Sequence, residues 1–350
     1  MRRIGWLGVL LLLAACGGGR SEQERQVDAS VFLQTAPGAT GTPAQVAVDP
    51  DLPEYQPKPG VAGRLSSIGS DTMNNLMALW AEEFKKYYPN VKIEVEGKGS
   101  STAPPALIQG TAQLGPMSRP MKASERDAFE KAFGYSPTEI SVALDGLALF
   151  VHKDNPIDCL TLPQVDAIFS KTRLLGHPQD IRTWGDLGLR DPWANRPISL
   201  YGRNSASGTY GFFKDHALGG GDFKANVKEQ PGSASVVQGV SVDPNGIGYS
   251  GIGFVTSSVK ALSIAARPGE PCYAPTPENI YKGRYPLWRP LYIYVNRKPN
   301  GELDPLVREF LNFVLSKQGQ EVVIRDGYLP LHTDMLKAER RKLGLNPDAT

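Results

Sequence analysis

Cysteine is scarce in this chain, with three residues in 350 at positions 16, 159 and 272, too few for a disulfide-built scaffold. Four histidines, His152, His177, His216 and His332, are scattered with no HExxH pair, so no metal-ligand spacing exists. A Walker loop is absent, and Ser205 and Ser207 lie in no GxSxG turn, which leaves no recognisable nucleophile arrangement. Charge of one sign is lacking too. The 38 basic and 36 acidic side chains leave +2, which excludes a strongly basic nucleic-acid binder and an acidic solvating chain. The apolar run Ile4 to Leu13 is about ten residues long, where a bilayer span needs roughly 20. What is present is a 41% hydrophobic fraction, enough for a real core. The length fits two ordinary domains or one large one.

The N-terminus carries an address. Arg2 and Arg3 precede the apolar run, and Leu13-Ala14-Ala15-Cys16 follows it, as in a signal peptide. Small residues before a cysteine resemble a lipoprotein cleavage box, in which Cys16 takes a diacylglycerol and becomes the first mature residue. An ordinary Ala-x-Ala cleavage with an incidental Cys16 is the alternative. Loss of residues 1–15 removes two arginines and no acid, so the mature chain has no formal net charge. An acylated Cys16 would tether it to a membrane. Residues 16–62 are rich in Ala, Thr, Pro, Gln and Gly, with Phe32 and Tyr55 as the only aromatics. They read as a flexible tether, or as one carrying a short docked strand at Ala29 to Leu33. The folded body is expected to begin near Gly63.

From Arg64 strands alternate with helices, the pattern of an α/β protein. Met73, Leu76, Met77, Trp80, Phe84 and Tyr87 recur at helical spacing up to Pro89, and Val91 to Glu96 alternates as a half-buried strand does. A helix is predicted over Pro104 to Gln109. Strands follow at Leu147 to Val151, Ile198 to Tyr201 and Pro290 to Val295, then a long helix carrying Leu306, Phe310, Phe313 and Val314. Gly246 to Gly251 matches GxGxxG by letter, but Pro244-Asn245 precede it as a turn and Ile247, Tyr249 and Ile252 alternate. A dinucleotide loop would open a helix there. This one predicts a strand.

One pattern recurs three times. Gly69-Ser70-Asp71-Thr72, Gly97-Lys98-Gly99-Ser100-Ser101-Thr102 and Ser205-Ala206-Ser207-Gly208-Thr209 each stand between a strand and a helix. Helix N-termini carry about half a positive charge and unpaired N–H donors. Three of them with Arg203 would set about +2.5 against a tetrahedral oxyanion. Taken singly, each turn is also what an ordinary helix cap looks like.

The wording of these and other stretches resembles the substrate-binding proteins of phosphate-specific ABC transporters, within the type II periplasmic-binding-protein fold. The matching pieces run from Gly69-Ser70-Asp71-Thr72-Met73 and Gly97 to Ser101 through Gly115-Pro116-Met117-Ser118-Arg119-Pro120 and Asp145-Gly146-Leu147-Ala148. They continue through Arg203 to Thr209, Gly246 to Tyr249, Tyr285 to Leu291 and Gly327 to Leu331, about three quarters of the chain. The resemblance implies phosphate held without metal or cofactor by Thr72, Met73, Ser100, Ser118, Arg203, Ser207, Gly208 and Thr209. Some family members have an aspartate at the position of Ser118, and others have one at that of Ser205. Asp71 and Asp145 are then the candidates for accepting the phosphate proton, or for bridging to Arg119 or Arg203.

The same resemblance implies two chain crossings, near Leu144-Asp145-Gly146 and Leu287-Trp288-Arg289. Lobe one is then 64–145 plus 288–335, lobe two 146–287, and 336–350 a tail. Cys159 and Cys272 fall together in lobe two and are expected to form a disulfide outside the cytosol, with two buried thiols as the alternative. The implied partners are phosphate, permease subunits and, through Cys16, a membrane. No nucleic acid is implied, and a monomer on the periplasmic side is expected. An adhesive or phosphate-sensing lipoprotein, or a receptor for another oxyanion, keeps the same features. An exported enzyme acting on phosphate esters lacks its nucleophile and its metal ligands.

Overall fold

The computed structural model describes residues 46–347, so the leader, Cys16 and the Ala29 to Leu33 stretch lie outside the described residues. The chain runs β1 (Arg64–Gly69), α1 (Asn74–Tyr87), β2 (Lys92–Gly97), α2 (Ala103–Gln109), β3 (Gly115–Met117), α3 (Ala123–Phe133) and β4 (Thr138–His152). Next come β5 (Cys159–Thr161), α4 (Leu162–Phe169), β6 (Ser199–Arg203), α5 (Gly208–Ala217), β7 (Lys228–Gln230), α6 (Ser233–Ser241) and β8 (Gly246–Gly251). The chain closes with β9 (Val259–Ala261), β10 (Ser263–Ala265), α7 (Pro277–Tyr281), β11 (Trp288–Val295), α8 (Pro305–Val314), α9 (Lys317–Arg325) and α10 (Thr333–Lys342).

Strand β4 organises the whole. Up to Gly146 it pairs antiparallel with β11, and from Leu147 it pairs antiparallel with β8. The main sheet thus reads β3-β11-β4-β8-β6-β7, with β9 also on β4. In the first half β1 and β2 are parallel, and a parallel bridge from Ser67 to Leu114 sets β3 beside β1. In the second half β6 is parallel to both β7 and β8. The interior of β4 is buried throughout, as expected of a strand covered on both faces. Only its end, Leu147 to Val151, is legible as a strand in the sequence, because Asp145-Gly146 breaks the apolar run.

Helix α1 follows the predicted stripe, burying Leu76, Met77, Trp80, Ala81 and Phe84 and placing Lys85 and Lys86 in its last turn, where cations suit the helix dipole. Trp80 Nε1 donates to the Gly319 carbonyl at 2.8 Å, which ties α1 to α9. The GxGxxG letters form strand β8, as the alternation predicts. The long C-terminal helix is in fact two, α8 and α9. Ser316 interrupts them, accepting the Gly319 N–H at 3.2 Å to cap α9.

Two boundaries read from the sequence are corrected. The stretch 46–62 is not free tether: Leu52 and Tyr55 are buried. The Tyr55 ring packs edge-on to Phe313 at 5.3 Å and its hydroxyl donates to Tyr88 at 3.0 Å, while Lys317 N donates to the Pro53 carbonyl at 2.8 Å. Two side chains suffice because α1, α8 and α9 supply the rest of the apolar pocket, which local periodicity does not reveal. Nor is the described part of 336–350 a tail, since Leu336, Leu343 and Leu345 are buried against the same core.

Cys159 and Cys272 form a disulfide with Cα atoms 6.2 Å apart, 113 residues apart in sequence. The bridge pins the loop around Tyr273, which pairs with Ile264 of β10, to strand β5. Replacing both cysteines by alanine is expected to lower the unfolding free energy by about 2–4 kcal/mol. A urea titration checks this, and an unchanged midpoint would show that the bridge contributes nothing.

At the end of α9, burial pushes the Asp326 carboxyl up from 3.8 to about 6, against the opposing influence of the Asn75 hydrogen bond and Arg325. Between those values the folded state holds a proton that the unfolded chain has lost. The contribution of Asp326 therefore favours folding at low pH and is lost as pH rises through about 6. Asp326→Asn should stabilise the protein at pH 8 by on the order of 1 kcal/mol, discounted for partial exposure. In thermal melts that advantage should shrink below about pH 6.

Candidate functional site

The carboxyl ends of two sets of parallel strands, β1, β2 and β3 in one and β6 and β7 in the other, face each other at one place, where open α/β sheets bind ligands. Ser70 to Thr72 leave β1, Ser100 follows β2, Ser118 follows β3, Arg203 ends β6 and Ser233 follows β7. Ser207 caps α5, its hydroxyl accepting the Tyr210 N–H at 3.2 Å. Gly99, at φ +117°, allows the turn after β2; a side chain there would lie 2.5 Å from the Ala206 carbonyl oxygen. The two halves of the sheet meet here, since Ser101 N donates to that carbonyl at 3.1 Å.

The hydroxyls form two triads. Thr72 Oγ1 lies 2.8 Å from Thr209 Oγ1 and 3.4 Å from Ser233 Oγ. Ser70 Oγ donates to Ser118 Oγ at 3.0 Å, and Ser118 N donates to Ser100 Oγ at 3.0 Å. Gly208 presses against the second triad: an added Cβ would sit 2.1 Å from Ser100 Oγ.

Two buried guanidinium groups flank the hydroxyls. Arg203, 2% exposed, donates from Nη1 to Ser233 Oγ at 2.7 Å and from Nη2 to the Pro231 carbonyl at 3.3 Å. Its Nη1 is 3.4 Å from Asp71 Oδ2, which also accepts the Ser233 N–H at 2.9 Å. Burial lowers the Arg203 pKa and the Asp71 carboxylate opposes the change, so the guanidinium keeps its charge. Among the described residues its buried Nε–H has no acceptor. Arg289 faces Asp145 across β11 and β4, donating from Nε to Asp145 Oδ2 at 2.9 Å.

The predicted residues are thus largely gathered together, with exceptions. Arg119 turns away to Glu125, with Nη1 and Nη2 at 2.7 and 2.6 Å from its oxygens. The Met73 side chain belongs to the hydrophobic core. Asp71 and Asp145 are both bridges, the first to Arg203 and the second to Arg289 rather than to Arg119. Two carboxylates against two guanidinium groups leave the side chains uncharged in sum, so the surplus of about +2.5 expected from sequence shrinks to the helix-end contribution. Sequence reasoning missed Ser233 and Arg289. Pro231-Gly232-Ser233 before Val236, Val237 and Val240 is a fourth small-hydroxyl helix start of the same kind, and Arg289 lay inside Tyr285 to Leu291 without a role.

Two half-sheets sharing strand β4, with facing helix starts between them, define the two-lobed type II periplasmic-binding-protein fold. The family model for a PBP superfamily domain matches residues 54–318. The phosphate-binding protein PstS of Pseudomonas aeruginosa is 57% identical over 322 residues, covering 92% of this chain and 99% of that protein. The chain belongs to this family of phosphate-binding proteins. Among solved structures, a putative phosphate ABC transporter substrate-binding protein from Clostridium perfringens with bound phosphate is 28% identical with TM-score 0.64, covering 77% of this chain and 100% of that one. An ABC-type phosphate transport receptor from Vibrio cholerae is 25% identical with TM-score 0.60, covering 76% of this chain and 100% of that one.

Proposed function

We propose that this protein captures inorganic phosphate between its lobes and delivers it to the permease of an ABC transporter. The observation that carries the reading is the unpaired, buried Arg203 Nε–H beside hydroxyls from three helix starts, at Thr72, Thr209 and Ser233. Charge-assisted bonds from a guanidinium and N–H groups at helix ends suit a tetrahedral oxyanion without a metal. The family is one of binding proteins, not enzymes. Ser100, Ser118, Ser207 and Gly208 complete the proposed site, with Met73 contributing through its backbone alone. Lobe one comprises 64–145 and 288–335 together with the docked 46–62 segment and α10, and lobe two comprises 146–287. The hinge lies where β4 changes partner and β11 begins.

Calorimetric titration of refolded protein with phosphate, sulfate, arsenate and molybdate tests the reading. One site with phosphate bound more tightly than sulfate is expected, and no binding of phosphate would overturn it. As bridges, Asp71 and Asp145 set the strength of binding rather than its selectivity. Asp71→Asn and Asp145→Asn should weaken phosphate and sulfate together. A tenfold fall in the phosphate-to-sulfate ratio, about 1.4 kcal/mol, would make that residue the acceptor of the phosphate proton.

The chain works outside the cytoplasm in this reading, held to a membrane by acylated Cys16. Mass spectrometry of the membrane fraction checks the anchor, and unmodified Cys16 on soluble mature protein would sink it. The permease separates transport from an adhesive or phosphate-sensing role: deleting the protein should abolish high-affinity phosphate uptake.

A further inference from the structure

We propose that Arg289 is a positioning residue that makes the Thr209 hydroxyl an obligate donor to the bound anion, an inference that rests on the phosphate reading. Arg289 is 1% exposed, and all three of its nitrogens are committed to protein acceptors. Nε donates to Asp145 Oδ2 at 2.9 Å, Nη1 to the Ser118 carbonyl at 2.8 Å and Nη2 to Thr209 Oγ1 at 2.9 Å. Nη2 also stands 2.8 Å from Asp145 Oδ2.

A guanidinium has five donors and no acceptor. Thr209 Oγ1 must therefore accept from Arg289, and its own proton is left for another partner. Thr72 Oγ1, 2.8 Å away, is within reach of that proton. The same logic holds at Arg203, whose Nη1 donates to Ser233 Oγ at 2.7 Å, with Ser233 Oγ in turn 3.4 Å from Thr72 Oγ1. Two hydroxyls on different helix starts are thus polarised toward one point by two cations. A free hydroxyl rotates between donating and accepting, whereas a pinned one offers an ionised oxygen a donor that needs no reorientation.

The placement of Arg289 explains how this polarity is held. Arg289 and Asp145 are cross-strand neighbours on the two strands that join the lobes. The guanidinium lies over the Phe212 ring at 5.3 Å. From there it reaches Ser118 in one lobe and Thr209 in the other, so its full set of bonds forms when those two residues come together. Arg289 acts on the anion through Thr209.

A double-mutant cycle read by phosphate titration tests this. Thr209→Val should weaken phosphate binding tenfold or more, Arg289→Lys by a comparable factor, and the double variant by no more than threefold beyond Thr209→Val alone. In a Thr209→Ser background, which keeps the hydroxyl, Arg289→Lys should again cost tenfold. Effects that multiply in the double variant would show that Arg289 acts by holding the fold and would overturn the proposal, as would Thr209→Val binding within twofold of the parent. If circular dichroism shows that Arg289→Lys does not fold, Asp145→Asn takes its place in the cycle with the same expectation and the same overturning result. Failure of the unsubstituted protein to bind phosphate would overturn the phosphate reading as well, whereas a multiplicative cycle in a protein that binds would remove this inference alone.

Discussion

Arg203→Ala is expected to lower phosphate affinity by about 2–5 kcal/mol, roughly 30- to several-thousand-fold. The side chain is 2% exposed, so water cannot replace its bonds. Part of the loss is not anion binding at all. Removing the cation leaves Asp71, which sits 3.4 Å from Nη1, without its counter-charge. The variant Asp71→Asn/Arg203→Ala separates the two effects, since it should recover stability but not affinity. Calorimetry reads the affinity and thermal melting the stability. Binding by Arg203→Ala within a factor of two of the parent would place the site elsewhere.

Gly208→Ala should abolish tight binding by a different route. The new methyl would lie 2.1 Å from Ser100 Oγ and 2.7 Å from Ser118 Oγ. Those atoms cannot swing aside, because Ser100 Oγ is held by the Ser118 N–H at 3.0 Å. The clash is between the start of α5 and the turns after β2 and β3, so the helix itself is left able to form. A hundredfold or greater loss of affinity is expected with little change in the melting temperature of the ligand-free protein. The rise in melting temperature that saturating phosphate confers by mass action should vanish. If Gly208→Ala binds as the parent does, the lobes do not meet at Gly208 when the anion is bound.

The site was partly legible because its residues are local features. Arg203 and the run Ser207 to Thr209 lie within seven positions, and a strand end followed by small hydroxyl residues is a pattern that a single sequence displays. Ser233 was legible in the same way, since Pro231-Gly232-Ser233 stands directly before the apolar positions Val236, Val237 and Val240. Asp145 could be read only as an open choice between proton acceptor and bridge. Its partner Arg289 is 144 positions away, and no spacing rule reaches that far.

By itself, the sequence determined the α/β alternation, the buried stripe of α1 and the strand nature of Gly246 to Gly251, since these depend on the period of apolar residues along a short stretch. It also determined the three helix starts first singled out, since glycine and small hydroxyl residues between a strand and an apolar helical stripe are a local pattern, although only Ser207 caps its helix with its side chain. Only the tertiary structure decided that 46–62 and Leu336 to Leu345 dock on the body, that Arg119 belongs to Glu125, and that Asp145 faces Arg289. It alone showed that the guanidinium charges are balanced by carboxylates and that the Thr209 and Ser233 hydroxyls accept from them. These are pairings between distant segments, and which of several arginines meets which acid is set by strand register and the crossing of β4 between lobes, neither of which local periodicity encodes.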